Sequence, residues 1–377
     1  MKIDAETRLR RCLHLIDLNP AEKLGSLEEQ TFVLAKAMHE SDSLFVPVFS
    51  APPGPEAKKL YRTVGIPVEW LNLKEWSWIT LRRLLRLVRR HRIEIIDWVF
   101  YDPLNPYYLF VSLLRPNIKH YFTDQVSRIP GTDEGSSGAK QFLKRILLSR
   151  YDKALCISDF VLESLRRQDT WPKLVRYGCF VNTNRFRPDG EARAKLRREM
   201  DVDSRFVVLT VANLIPWKGI DVAIRSLLEL PERVELWVVG GGEEWTRLQA
   251  LCAELELSPR TRFFGKQRDV LPYLQAADCF ACPSLWAEAM GFVNLEALAC
   301  GLPVVASSIG GLPEFIEDGV TGILFRTGDH HELAMAIQAL AEDPEKCARM
   351  GAAARIAAQQ KYSIGSRLAA YLELYAE

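Results

Sequence analysis

The stretch PSLWAEAMGFVNLEALACGLPVVAS occupies residues 283–307. It starts where a short apolar segment, 279–283, ends, and it closes on a second apolar segment, 303–306. Between the two, Gly291 precedes a run with helical spacing. A strand, a helix and another strand in this order are the repeating unit of a parallel sheet covered by helices. This stretch therefore predicts an α/β fold.

Two carboxylates stand out within this stretch. Glu288 falls in the loop after the first strand, and Glu296 falls one to two turns into the helix that follows Gly291. Both carboxylates can then face a ligand at the start of the helix. A carboxylate that bridges two neighbouring hydroxyls is a common way to hold a ribose or a sugar, so such a ligand is a candidate. The spacing alone fits an amphipathic helix with one solvated glutamate equally well.

The same alternation extends over the whole chain. Strand candidates are 13–18, 45–49, 93–100 and 154–157, followed by a second set at 206–212, 234–240, 279–283 and 303–306. A stretch rich in Arg, Asn and Pro, 182–203, separates the two sets. We expect two Rossmann-like, doubly wound parallel-sheet domains, 1–190 and 191–377, facing a cleft, with the last helix (about 360–377) crossing back onto the first domain.

Composition narrows the class of protein. The 377 residues are 48% hydrophobic and 26% charged, which is typical of globular domains. The first residues lack the apolar core of a signal peptide, and no apolar run reaches the ~18–20 residues of a membrane-spanning helix. The eight cysteines are too sparse for a disulfide scaffold. These features predict a cytoplasmic protein.

The net charge of +1 hides two unlike halves. Residues 1–190 hold 30 Lys plus Arg against 22 Asp plus Glu, whereas residues 191–377 hold 19 against 26. A balance near zero argues against nucleic acid as a partner. The basic first half nevertheless suits an anionic acceptor or an anionic membrane surface.

The second half resembles the retaining glycosyltransferases of group one, often called family four, which have the GT-B fold. The resemblance rests on the Glu-x7-Glu pattern within 283–307 and on four further segments in the family's order. These are ANLIPWKGIDVAI (212–224), LWVVGGGEEWTRLQALCAEL (236–255), RTRFFGKQRDVLPYLQAADCFACPS (260–284) and GGLPEFIEDGVTGILF (310–325).

The resemblance implies roles for the matched positions. Glu288 would bind the hydroxyls of the donor sugar, Glu296 the ribose of the nucleotide, and Lys218 the diphosphate, whose departing charge must be stabilised. Asn213 stands where the family usually has an arginine, so more of that stabilisation would fall on Lys218. Further donor contacts implied by the resemblance are Gly25, Ser26, Gly240, Lys266, Gln267, Met290, Gly291 and Phe292.

The acceptor side departs from the family pattern. Family members often carry a histidine after a strand of the first half, and the corresponding stretch here is KHYFTDQVSRIPG, 119–131. Asp124, at the end of this strand, is the candidate for orienting the acceptor hydroxyl. His120 lies at its start, where a partly buried strand residue is the alternative interpretation.

The reaction implied is transfer of a sugar, with retained configuration, from a nucleotide sugar to an acceptor hydroxyl. A UDP-sugar is favoured over a GDP-sugar by its frequency in the family. No cofactor and no metal are expected, since Asp201 and Asp203 spell a metal-binding pattern but lie beside the predicted linker. The alternatives are another GT-B enzyme, such as a nucleotide-sugar 2-epimerase, and a non-catalytic nucleotide-sugar-binding protein.

A tryptophan- and arginine-rich segment, residues 76–92, carries a separate hypothesis. Its apolar residues follow helical spacing, and arginines cover the remaining positions. The segment can be a helix that lies on an anionic membrane surface. The alternative is an ordinary outer helix whose apolar stripe faces its own sheet.

Overall fold

A computed structural model describes residues 8–20, 25–126, 139–171 and 173–376. The chain forms two compact units, and the boundary between them lies between Cys179 and Phe180. The residues from Arg367 onward belong to the first unit. Both units are built on parallel sheets with helices between successive strands. The predicted α/β class is confirmed. In the described part of the chain no helix combines the length and the apolar character needed to cross a bilayer.

The first unit has a seven-stranded sheet in the order β3-β2-β1-β4-β5-β6-β7. Its central strands are buried on both faces, as expected for a parallel sheet covered by helices. The strands are β1 Cys12–Ile16, β2 Phe45–Phe49, β3 Glu69–Trp70, β4 Ile95–Val99, β5 Lys119–Asp124, β6 Lys153–Cys156 and β7 Leu174–Arg176. The helices are α1 Ser26–Glu40, α2 Pro55–Thr63, α3 Trp78–Arg90, α4 Pro106–Leu114, α5 Ala139–Leu148 and α6 Asp159–Arg167.

The second unit has a six-stranded sheet in the order β10-β9-β8-β11-β12-β13. The strands are β8 Phe206–Val211, β9 Val234–Val239, β10 Thr261–Gly265, β11 Cys279–Cys282, β12 Val304–Ser307 and β13 Gly322–Phe325. The helices are α7 Gly190–Glu199, α8 Ile220–Ser226, α9 Trp245–Glu254, α10 Leu271–Ala276, α11 Phe292–Ala299, α12 Leu312–Phe315, α13 His330–Ala341, α14 Pro344–Lys361 and α15 Ile364–Glu373, whose end belongs to the first unit.

The core of the second unit lies between its sheet and the helices on one face. Val208 of β8 and Leu236 of β9 pack there with Leu333, Ile337 and Leu340 of α13. These three leucine and isoleucine positions recur at three- and four-residue intervals, so they share one face of the helix. Their burial orders the strands whose ends carry the polar residues described below.

The order of strands locates a preferred ligand position in the second unit. The chain winds outward from β8 in one direction to β9 and β10, and from β11 in the other direction to β12 and β13. In such open sheets the loops at the carboxyl ends of the two strands at the switch diverge and leave room for a ligand. Here those loops are the ones that follow β8 and β11.

The C-terminal segment completes the first unit. Leu9 and Ala376 form an antiparallel bridge, and the backbone N–H of Arg10 donates to the carbonyl of Tyr375. The Tyr375 hydroxyl donates to the buried carboxylate of Asp97 (3.1 Å), which also accepts from Thr123 Oγ1 at 2.6 Å. Tyr375 thus supplies a hydrogen-bond donor to a buried carboxyl group on a central strand.

We predict that Tyr375→Ala destabilises the first unit by about 3 kcal/mol, because it removes a fully buried aromatic ring as well as the hydrogen bond to Asp97. Chemical unfolding measures the change, and hydrogen exchange of the β1 and β4 peptides assigns it to the first unit. The control is Met335→Ala at an exposed position, which we expect to change stability by less than about 0.5 kcal/mol. Equal effects for both variants would contradict the proposed anchoring role.

Candidate functional site

The loops after β8 and β11 bring a lysine against a buried glutamate. Lys218 ends a short 3-10 turn, Pro216–Lys218, in the loop after β8. Its Nζ donates a hydrogen bond to Oε1 of Glu288, which lies in the loop after β11. The lysine ammonium also lies over the ring of Trp286, 5.1 Å from the ring centroid. Two residues that are 70 positions apart in sequence therefore form an ion pair at the switch point of the sheet.

Two more donors converge on the same carboxylate oxygen. Ser284 Oγ donates to Glu288 Oε1 at 2.5 Å, and Trp286 Nε1 donates to it at 2.8 Å. The Glu288 residue is only 3% exposed. Hydrogen bonds to a charged group are stronger than those between neutral groups, and they favour the ionised form. The three donors therefore hold the carboxylate in one orientation and keep it charged.

The pKa of Glu288 reflects two opposing influences. Burial raises the pKa of this carboxyl, because a charge is disfavoured away from water. The charge of Lys218 and the hydrogen bonds from Lys218, Ser284 and Trp286 act in the opposite direction and together outweigh burial, so the pKa lies below its ordinary value. Glu288 is consequently an anion at neutral pH, although it is almost inaccessible to solvent.

Glycines allow the loops to approach one another closely. Gly219 has φ +62°, and a Cβ there would lie 2.0 Å from the carbonyl oxygen of Pro283. Gly310 has φ +61°, and a Cβ there would lie 2.5 Å from the carbonyl oxygen of Glu288. The N–H of the next residue, Gly311, donates to that same carbonyl at 2.7 Å. Side chains at these two glycines would push the lysine loop and the glutamate loop out of position.

The helix that follows Glu288 starts at a glycine in the left-handed region. Gly291 has φ +73°, and α11 begins at the next residue, Phe292. Met290 is buried and Phe292 is half-buried, so the predicted contacts at these positions would be made by backbone groups. The first-turn N–H groups of a helix have no partner within the helix. Glu296 lies inside α11 and is buried, as Glu288 is.

The other residues predicted in the second half surround these loops. Asn213 is exposed in the loop after β8. Gly240 has φ +142°, and a Cβ there would lie 1.8 Å from the Ala212 carbonyl oxygen, so close packing of two loops already requires glycine at this position. Lys266 is exposed beside Gly241. Gln267 is half-buried, and its amide donates to the Phe264 carbonyl at 2.6 Å.

Gly25, Ser26 and Asp124 belong to the first unit. Gly25 caps α1, and its N–H donates to the Glu28 carboxylate at 2.9 Å. Asp124 ends β5, is buried, and accepts a hydrogen bond from the Val126 N–H at 3.0 Å.

His120 is a core residue. It is 1% exposed, and the indole N–H of Trp98 donates to its Nδ1 at 3.1 Å. Burial and the nearby charge of Arg150 lower the pKa of His120 to about 3, so the ring is neutral at physiological pH. This favours the interpretation as a buried strand residue and leaves Asp124 as the candidate on this strand.

The second unit matches a known family. Residues 192–357 fit the sequence profile of the family described as "Glycosyl transferases group 1". The matched segment covers most of the second unit. The residues assembled after β8 and β11 all lie within this matched segment.

Two curated relatives illustrate the similarity. The GDP-mannose-dependent alpha-(1-6)-phosphatidylinositol monomannoside mannosyltransferase of Mycolicibacterium smegmatis is 39% identical over 205 residues, which cover 52% of this chain and 54% of the relative. The D-inositol 3-phosphate glycosyltransferase of Saccharomonospora viridis is 36% identical over 248 residues, covering 61% and 57%. The chain spans about half the length of the curated relatives it matches.

Solved structures share the fold over nearly the whole chain. HepE of Anabaena in complex with UDP-glucose superposes with a TM-score of 0.80 at 22% identity, covering 97% of this chain and 99% of that chain. The sucrose-phosphate synthase of Thermosynechococcus elongatus gives a TM-score of 0.80 at 22% identity, covering 97% and 98%. The GT-B fold predicted from the resemblance is confirmed.

Ser284 and Trp286 were not among the residues predicted from the sequence. Both lie within four residues of Glu288, but a serine and a tryptophan in a loop carry no pattern that distinguishes a carboxylate partner from an ordinary loop residue. Only the bend of the loop after β11 brings their donors onto the same oxygen.

We predict that Trp286→Phe raises the pKa of Glu288, because it removes an N–H donor to the charged carboxylate and keeps an aromatic ring beside Lys218. A glutamate whose pKa is lowered in the folded protein adds to the stability of the fold at pH values above the ordinary pKa of glutamate. This contribution is lost as the pH falls through the lowered pKa. Wild type should therefore exceed the variant in stability by about 1–2 kcal/mol near neutral pH, with the gap closing in acid.

Unfolding measured at about pH 7 and about pH 3.5, on either side of the ordinary pKa of glutamate, tests this prediction. Trp217→Phe, on the neighbouring turn, is the matched control and should show no pH-dependent difference from wild type. A gap between wild type and Trp286→Phe that is the same at both pH values would show that the indole does not stabilise the charged carboxylate.

Proposed function

We propose that this protein transfers a sugar from a nucleotide-sugar donor to an acceptor hydroxyl. The observation that supports it is the pairing of Lys218 with buried Glu288 at the carboxyl ends of β8 and β11. A nucleoside diphosphate leaving group needs a cation beside it, and the sugar needs an oriented hydrogen-bond acceptor. These two side chains meet both needs from adjacent loops.

Lys218 is accessible enough to bind a second anion in addition to Glu288. Its side chain is about one-fifth exposed, whereas that of Glu288 is nearly inaccessible. A diphosphate arriving from the exposed side would place Lys218 between two anions, with the glutamate keeping the ammonium oriented. The lysine would then offset the negative charge that grows on the leaving phosphate as the glycosidic bond breaks.

Glu288 and Glu296 would hold the donor at two points. In this proposal Glu288 accepts hydrogen bonds from hydroxyls of the sugar, and Glu296 accepts those of the ribose. Both carboxylates are buried, so a hydroxyl that binds them exchanges water for a strong charge-assisted hydrogen bond. The first-turn N–H groups of α11 would add donors toward the diphosphate.

We further propose that the sugar is transferred with retained configuration by a front-face displacement. The leaving phosphate oxygen would take the proton of the attacking hydroxyl on the same face of the sugar, and Asp124 would orient that hydroxyl. Lys218 and the α11 N–H groups supply the positive charge, so the proposed reaction uses neither a metal nor a cofactor. An unchanged rate in EDTA and NMR detection of the retained anomer would support this part of the proposal.

The donor that we propose to test first is GDP-mannose. The sequence alone favoured a UDP-sugar through family frequency, whereas the relative from M. smegmatis is GDP-mannose-dependent by name and 39% identical over its matched part. Turnover with a panel of GDP- and UDP-sugars distinguishes the two possibilities. Activity with a UDP-sugar only would return the proposal to the earlier expectation.

We also propose that the acceptor is anionic. The names of the two relatives include phosphatidylinositol and inositol 3-phosphate, both of which carry a phosphate group. Residues 1–190 of this chain hold eight more basic than acidic residues. A strong dependence of acceptor KM on ionic strength is the expected sign of this attraction.

We predict that Lys218→Met lowers kcat/KM about 100- to 1,000-fold, because the charge on the leaving diphosphate loses its nearest cation. Glu288→Gln should lower it by a similar factor, since an amide cannot replace the charged acceptor. Transfer from the active donor of the panel is measured by release of nucleoside diphosphate. Lys195→Met, which removes an exposed lysine on α7, is the matched control and should retain full activity.

The same assay separates the alternatives. An epimerase would convert the donor without any acceptor, and a non-catalytic binding protein would bind the donor without releasing diphosphate. Wild-type activity in both Lys218→Met and Glu288→Gln would refute the assignment of the site.

A further inference from the structure

The first unit exposes large apolar side chains on three consecutive helices. Trp78 and Ile79, at the start of α3, are 60% and 72% exposed, and Leu113, near the end of α4, is 62% exposed. Phe142, Leu143 and Ile146 on α5 are each more than half exposed. We call the exposed side chains of Trp76, Trp78, Ile79, Phe110, Leu113, Leu114, Phe142, Leu143 and Ile146 the apolar surface.

Aromatic contacts order the first part of the apolar surface. The ring of Trp76 stacks on Phe110 with centroids 4.7 Å apart, and Trp78 meets Trp76 and Phe110 edge-on at 5.2 and 5.6 Å. The Ser77 N–H donates to the hydroxyl of buried Tyr107 at 2.8 Å, which ties this turn to α4. The cluster is therefore held in place by packing while it remains accessible to solvent.

The second part of the surface lies on the next helix. The Tyr108 hydroxyl of α4 donates to the carbonyl of Leu147 on α5 at 3.1 Å, so the two helices are packed side by side. Phe142 and Ile146 are four residues apart and share one face of α5. Leu113 and Leu114 are three and four residues after Phe110, so they share its face of α4.

The apolar stripe of α3 itself does not contribute to this surface. Leu81, Leu84, Leu87 and Val88 are all buried, as the interpretation of 76–92 as an ordinary outer helix requires. The exposed apolar groups are instead at the start of α3 and on its two successors in the chain. The apolar surface is therefore formed by side chains from three packed helices and not by the apolar face of a single amphipathic helix.

Charge on these helices is of one sign. Helix α3 carries five arginines, α5 carries two lysines and one arginine, and neither they nor α4 contain an acidic residue. Helix α1 of the same unit contains three glutamates by contrast. Two of these arginines have acidic partners on neighbouring elements, Arg90 with Glu69 and Arg145 with Asp169. A face that combines exposed apolar side chains with an excess of basic residues on its helices is complementary to an anionic bilayer surface.

The second unit shows no comparable grouping in its described part. Its large exposed apolar residues are single and lie on separate elements: Trp217, Leu228, Val320, Met335 and Ile356. Single exposed apolar residues are normal on protein surfaces, whereas a grouped set marks an interaction site.

We propose that the apolar surface docks the first unit on a bilayer rich in anionic phospholipid. Trp76, Trp78 and Phe110 would sit at the level of the headgroups, where tryptophan is enriched. Ile79 and Leu113 would reach the acyl boundary, and the arginines of α3 would contact lipid phosphates. This inference deepens the proposed function, because a lipid-linked anionic acceptor would be met at that surface, but the docking itself requires no donor or turnover.

The test is vesicle cosedimentation of the full chain. One set of vesicles is phosphatidylcholine alone, and the other contains phosphatidylglycerol as a substantial fraction. The variant is Trp78→Gln/Ile79→Gln, and the matched control is Met335→Gln/Ile356→Gln, which removes two exposed apolar residues from the second unit. Circular dichroism and unfolding establish that both variants fold.

We expect wild type and control to bind the anionic vesicles, with binding weakened by salt and much weaker on phosphatidylcholine. The Trp78/Ile79 variant should lose about tenfold in partitioning. Blue-shifted tryptophan fluorescence on the anionic vesicles, absent in the variant, should accompany binding.

Three results would overturn the proposal. The first is that wild type does not bind anionic vesicles at low salt, and the second is that the control variant loses as much binding as the Trp78/Ile79 variant. The third is a concentration-dependent dimer of wild type in sedimentation that the Trp78/Ile79 variant abolishes and the control does not. That result would assign the apolar surface to contact with a second copy of the chain. Donor hydrolysis measured without lipid separates this failure from failure of the proposed function. It should be the same in wild type and in the Trp78/Ile79 variant.

Discussion

A buried carboxylate is tolerated only if its charge is compensated, and the geometry of the second unit is arranged around that requirement. Glu288 is nearly inaccessible, and its oxygen accepts from Lys218, Ser284 and Trp286. The lysine reaches it only because the loop after β8 passes against the loop after β11, and Gly219 leaves the space for that passage. The ion pair therefore depends both on the strand order, which places β8 beside β11, and on the glycine in the loop after β8.

The same constraint would serve the proposed sugar transfer. A buried ion pair with excess hydrogen-bond donors is held in one orientation before any ligand binds, so in the proposed transfer little rearrangement would be needed when charge develops on the leaving group. A partly exposed cation next to a fixed anion is also able to bind a second anion without leaving the first. Lys218 has that exposure, whereas Glu288 does not.

The amino-acid sequence predicted the α/β class, the parallel sheets and the region of the site, because strand–helix alternation and the spacing of Glu288 and Glu296 are local patterns. The sequence predicted a domain boundary near residue 190, whereas the boundary between the two units lies between residues 179 and 180. Neither the donors to Glu288 nor the grouping of exposed side chains on α3 to α5 was predicted, since both depend on how separate loops and helices pack. The close packing at Gly240, where a Cβ would lie 1.8 Å from the Ala212 carbonyl oxygen, was likewise not predicted, and the ligand contact at Gly240 stays a prediction.

The closing of the first unit by the chain's last residues has a consequence for synthesis. A ribosome makes the chain from its first residue, so the whole second unit is complete before Tyr375 emerges to meet Asp97. The first sheet therefore lacks one of the hydrogen-bond donors to Asp97, on its central strand β4, until Tyr375 has been synthesised. Chains truncated before Arg367 would consequently contain the whole second unit beside an incomplete first one.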